Sequence, residues 1–101
     1  MFYLLDQATA VGPGNAVRTE EAHRAFHLYV DGTTSPNVDV DIEVSNLRDG
    51  PWVSLHTFNN ITTSNGADTF TDAAPFAYVR ANLTNTSGNG EMVTVTLVTS
   101  A

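Results

Sequence analysis

Val38-Asp39-Val40-Asp41-Ile42-Glu43-Val44-Ser45 decides the fold. Four β-branched residues alternate with three carboxylates and a serine. An extended chain therefore sends the apolar set to one side and the polar set to the other. A helix cannot sort that string into one wet and one dry face. The stretch reads as a half-buried antiparallel strand.

Period two recurs outward from it. Trp52 to Phe58 sets Val53, Leu55 and Thr57 against Trp52, Ser54, His56 and Phe58. Phe76 to Leu83 sets Ala77, Val79, Ala81 and Leu83 against Phe76, Tyr78, Arg80 and Asn82. Val93, Val95 and Leu97 alternate with Thr94 and Thr96, and Thr69 to Thr71 is a short strand candidate. Thr19 to Val30 admits a helix, with Thr19 as N-cap and Glu20 and Glu21 in the first turn. The alternation of Phe26, Leu28 and Val30 with His27 and Tyr29 favours a strand from about Ala25 to Val30. Turn chemistry separates these runs: Asp31-Gly32, Asp49-Gly50-Pro51, Asn65-Gly66 as a hairpin signal, and Ser87-Gly88-Asn89-Gly90. Strands punctuated in this way predict an all-β chain, an antiparallel β-sandwich of jelly-roll type with about seven or eight strands. Residues 1–101 form one domain, with residues 1–22 as an N-terminal arm and first strand.

Composition narrows the role. Eleven carboxylates face four arginines, with no lysine, for a net charge of −7. Such a surface repels phosphate backbones and anionic headgroups, so neither nucleic acid nor membrane is an expected partner. With no cysteine there is no disulfide framework and no thiolate metal site. The opening Met1-Phe2-Tyr3-Leu4-Leu5-Asp6 lacks the basic region and long apolar core of a secretion signal, so the expected setting is a cell or a particle assembled within one.

No catalytic, metal or cofactor site is expected. Asp39, Asp41 and Glu43 sit about 6–7 Å apart in a row along one strand face, whereas calcium needs six to eight converging oxygens. The row reads as a solvated face that also guards an edge. His23 and His27 on a strand lie about 13 Å apart, too far for one ion, and His56 is a third isolated imidazole. There is no strained G-x-S-x-G turn, and Gly12-Pro13-Gly14 is not followed by the lysine of a phosphate-cradling loop. Three N-x-S/T triplets, at Asn60, Asn82 and Asn85, reflect a chain rich in Asn and Thr. Two surfaces stand out as binding candidates. The apolar run Phe2, Tyr3, Leu4 and Leu5 is either an interface or a first core strand. Trp52, following its Asp-Gly-Pro turn, is either a core plug or a sugar-stacking platform.

The segments Asp49-Gly50-x-Trp52-Val53-x-Leu55 and Pro75-Phe76-x-Tyr78-Val79-Arg80-Ala81, with the closing Val93-Thr94-Val95-Thr96-Leu97, resemble small β-sandwich proteins of tailed bacteriophage particles. These include capsid decoration or cement proteins and related tail modules. The resemblance spans most of the chain and implies a virion protein on the capsid surface, binding the major capsid protein as a homotrimer. Arg80 is expected to pair with Asp41 or Asp72. The alternative is a tail-fibre or carbohydrate-binding module that recognises host glycans through Trp52.

Overall fold

The alternating string at residues 38–45 is extended along its whole length in a computed structural model, which describes residues 1–19, 21, 23–32, 36–63, 66–72, 76–88 and 90–100. In chain order the strands are β1 (Phe2–Ala8), β2 (Gly12–Pro13), β3 (Val17–Arg18), β4 (His23–Asp31), β5 (Val38–Ser45), β6 (Val53–Ile61), β7 (Ala67–Asp72), β8 (Tyr78–Asn85) and β9 (Met92–Ser100). The segment with helix-start chemistry is strand β4, as the alternation favoured.

One sheet has the order β1-β9-β4-β7 and the other β2-β8-β5-β6, with β3 also on β8. Every pairing is antiparallel. Gly12 and Pro13 lie opposite Leu83 and Asn82, while Val17 and Arg18 lie opposite Val79 and Tyr78. β2 and β3 are thus two pieces of one strand position, and each sheet has four positions. Apart from β2–β3, only β5–β6 joins chain neighbours within a sheet; every other connection crosses to the opposite sheet. That is the connectivity of a jelly roll.

The two inner faces make the core. Val38, Val40, Ile42 and Val44 of β5, Val79, Ala81 and Leu83 of β8, and Phe58 of β6 line one side. Leu4 and Leu5 of β1, Phe26, Leu28 and Val30 of β4, and Val93, Val95 and Leu97 of β9 line the other. All are buried, and each side chain larger than alanine contributes roughly 1.5–3 kcal/mol. An aromatic ladder closes the side where β6 and β7 meet. Phe26 stacks on Phe70 with centroids 5.9 Å apart, Phe70 stacks on His56 at 4.0 Å, and His56 meets Phe58 edge-on at 4.8 Å.

Three local expectations change. The N-terminal arm is not free: β1 pairs with β9, placing Tyr3 opposite Thr96 and Leu5 opposite Val95. Asn65-Gly66 does not close a hairpin within a sheet, because β6 and β7 belong to different sheets. Gly66 instead accepts a hydrogen bond from the Val30 N–H and donates its own N–H to the Thr63 carbonyl, both at 2.9 Å. The strict alternation through Trp52–Phe58 breaks at a register shift between Ser54 and His56. His56, opposite Ile42, and Phe58, opposite Val40, face inward, while across the shift Val53 lies opposite Val44 and is exposed. Asn65, Ala74, Pro75 and Asn89 of the turn and signature motifs lie outside the described residues, as does Glu20.

Gly14 welds β1 to the second sheet. Its N–H donates to the Ala81 carbonyl at 2.8 Å, and a Cβ here would lie 1.8 Å from the Leu4 carbonyl oxygen. Gly14→Ala is expected to destabilise the domain by about 3 kcal/mol or more, since neither backbone can retreat without breaking its ladder. Urea unfolding of the purified variant measures it.

Candidate functional site

The outer face of the second sheet carries the richest side-chain chemistry. β5 runs through its middle, with β6 on one flank and β8 on the other, so each outward carboxylate of β5 reaches a neighbouring strand. Asp39 Oδ1 accepts the backbone N–H of Asn60 at 2.7 Å, where Asn60 holds a positive φ of 56°. Asp41 Oδ1 accepts the Thr57 hydroxyl at 2.7 Å. Glu43 Oε1 accepts Arg80 Nε at 2.7 Å, and its Oε2 accepts Asn82 Nδ2 at 3.5 Å. The expectation of a solvated row is therefore corrected. All three carboxylates are half-buried brackets between strands, each worth a fraction of a kcal/mol to about 1 kcal/mol.

Arg80 pairs with Glu43, not with Asp41 or Asp72, because Glu43 is its register partner on β5. The other side of its guanidinium lies 4.4 Å from the centroid of Trp52. The tryptophan leaves the core, folds back over the outer face and caps the ion pair. Next to it, Arg18 of β3 lies over the ring of Tyr78, at 5.8 Å. Trp52, Arg80, Glu43 and Asn82 thus form one contiguous aromatic and polar platform.

The other sequence candidates are dispersed. Leu4 and Leu5 are core residues, whereas Phe2 and Tyr3 are 40% and 49% exposed on the edge strand β1. The apolar run is therefore divided, with Leu4 and Leu5 anchored in the core and Phe2 and Tyr3 exposed at the edge. His23 and His27 point outward from β4, and His56 is consumed by the aromatic ladder. Among the described residues, no group of three or more His, Cys, Asp or Glu converges as a metal site. An open cleft of about 440 Å³ at one end of the sandwich collects His23, Ser100 and Asp72. Strand alternation puts His23 and its register partner Ser100 on the outer side of the sheet and Asp72 on the inner side, opposite Arg24. That split opposes a hydroxyl–imidazole–carboxylate relay, in which all three groups must line up.

Two polar features escaped the sequence reading. Arg24 occupies an inward position of β4 and is buried, donating Nη2 to the Phe76 carbonyl at 2.9 Å. Its place in the alternation with Phe26, Leu28 and Val30 was the available signal. Glu91 is buried in the loop between β8 and β9. It accepts the Thr86 hydroxyl, the Ser87 hydroxyl at 2.5 Å and the Gly88 N–H at 3.0 Å. Burial pushes its carboxyl up, but hydrogen bonds from the Ser87 and Thr86 side chains and from the Gly88 and Ser87 backbone outweigh it and hold the group below the ordinary carboxylate range. The run Thr86-Ser87-Gly88 ahead of Glu91 carries the donors that such a clasp needs.

No protein-family model matches the chain, and no curated protein matches it. Among solved structures, it is similar to a protein of the Bacillus endospore appendages, described as a novel family of disulfide-linked pili. The identity is 19%, covering 95% of this chain and 80% of that chain, with a TM-score of 0.46. It is also similar to a mutant of CBM29-2, a family 29 carbohydrate-binding module, at 14% identity over 98% of this chain and 90% of that one, again with a TM-score of 0.46. The fold assignment rests on the strand register itself.

The Glu91 clasp has a pH signature. A carboxyl held low in the folded state stabilises it fully above the ordinary carboxylate pKa of about 4.3, and this stabilisation is lost as pH falls through the lowered folded value. Glu91→Gln is expected to cost about 1–2 kcal/mol at neutral pH. The acid limb of its stability curve should be shallower than that of the parent. Denaturant titrations from about pH 7 down to about pH 2 test both the size and the sign.

Proposed function

We propose that this chain is an auxiliary structural protein of a bacteriophage particle, cementing or decorating the capsid by binding the major capsid protein. The observation that carries the reading is the split character of β1. Leu4 and Leu5 fix the strand in the core, so Met1, Phe2 and Tyr3 stand exposed on a rigid edge of an acidic domain. Aromatic anchors presented by a firm scaffold give an interface its binding energy at low entropic cost. The signatures around Trp52 and Val79 support the same class. Many copies on one shell let modest contacts suffice.

A second reading, a module that binds host glycans, is favoured by the platform of Trp52, Arg80, Glu43 and Asn82 on the outer face of the second sheet. It offers an aromatic ring beside hydroxyl-pairing groups, the chemistry that holds a sugar.

Co-sedimentation with assembled heads lacking this chain separates the two readings. The parent protein is expected to pellet with heads, and Phe2→Ser combined with Tyr3→Ser to lower its affinity at least tenfold, about 1.4 kcal/mol. Failure of the parent to pellet would refute the capsid role. On a glycan array, binding abolished by Trp52→Ala and accompanied by quenching of the single tryptophan would establish the second reading instead.

A further inference from the structure

The two outer faces of the sandwich differ sharply in charge. On the second sheet, Asp39, Asp41, Glu43 and Arg80 crowd the surface. On the first, Tyr3, Thr96, His27 and Thr69 form one row across all four strands. Val98, Ala25 and Thr71 form the next row, and Thr94, Tyr29 and Ala67 the one on the other side. No acidic residue, lysine or arginine occupies any of these positions. Asp6 on the edge strand and Asp31 at the end of β4 lie at the margins. An uncharged patch of this extent on a chain of net charge −7 is a broad surface that a second acidic body can approach without repulsion.

The strand edges do not compete for that role. β7 carries an exposed Asp68 and a half-buried Asp72 at its edge, opposite Leu28 and Arg24. β1 and β6 each carry two register irregularities, and β2 is two residues long and contains Pro13. Edge charges, bulges, short strands and proline all obstruct strand addition.

We infer that the outer face of the β1-β9-β4-β7 sheet is a two-fold docking surface for a second copy of this chain. An isologous contact sets the uncharged centre against itself, whereas a head-to-tail contact would press it onto the carboxylate brackets of the second sheet and strip their water. Threonine methyls, Val98, Ala25 and the rings of Tyr3 and Tyr29 supply the apolar area; Val98 is 51% exposed. Four strands about 4.8 Å apart and rows spanning about five residues at about 3.3 Å each give a face on the order of 300 Å² per copy. That is well below the roughly 800 Å² per partner of a standard stable complex, so the dimer is weak and concentration-dependent. The pairing shares Tyr3 with the proposed capsid contact, so Val98 and Thr69, which lie outside that contact, are the positions that test it; its two-fold symmetry takes the place of the homotrimer that the bacteriophage resemblance implies.

Sedimentation velocity of the full chain from about 1 μM to about 1 mM tests it. The expected result is a monomer–dimer equilibrium weakened at least tenfold by Val98→Glu and by Thr69→Glu. Ser54→Glu, on the second sheet, leaves it unchanged. Circular dichroism melts of all three variants confirm that each is folded at the temperature used. A monomer throughout, a stoichiometry other than two, or a dimer indifferent to both first-sheet variants overturns the inference.

Discussion

Burial of one alternating apolar row against another is the interaction on which the rest of this molecule depends. Among the described residues the two sheets share no hydrogen-bonded ladder, and nearly every connection carries the chain from one sheet to the other. No disulfide ties them. Their union therefore rests on Val38 through Val44 and Val79 through Leu83 meeting Phe26 through Val30 and Val93 through Leu97. A slip of one residue in any of these strands would exchange its buried and wet sides, so this contact also fixes every register. The aromatic ladder from Phe26 to Phe58 and the close passage of Gly14 over Leu4 seal two sides of the same core.

With the inner rows committed, the outer residues are free to differ, and they do. On the second sheet the carboxylates of β5 grasp both neighbouring strands, and Trp52 covers the Arg80–Glu43 pair. On the first sheet the same alternation yields threonine, tyrosine, histidine and valine in place of charge. Charge segregated in this way gives a small domain one face that resists approach and one that tolerates it, a useful arrangement for a protein that acts by adhesion. The exposed end of β1 adds a third surface, which the inner row holds rigid from beneath.

The sandwich was legible in the sequence because strand periodicity is local: Val38–Ser45 needs no partner to declare its two faces. The same locality explains what was missed. Asn65-Gly66 advertises a tight turn but not which sheet the next strand joins. The break at Leu55 is set by the mismatch between β5 and β6, so alternation alone does not settle where Val53 and Trp52 lie. Arg24 sits in an apolar register and Glu91 lies just beyond a glycine turn, and neither position reveals that its charge is enclosed. The Asp39–Glu43 row looked solvated because its hydrogen-bond donors lie on strands 16 or more residues away in the chain.

Sequence by itself determined that this chain is a cysteine-free, acidic stack of strands, since polarity pattern, turn residues and net charge are properties of neighbours along the chain. Only the tertiary structure decided which strands meet, which carboxylates find partners, that Trp52 lies over Arg80, and that one sheet face is left uncharged. Those outcomes depend on residues far apart in sequence being brought to one surface, where pairing energies are weighed against water in a geometry that no single segment encodes.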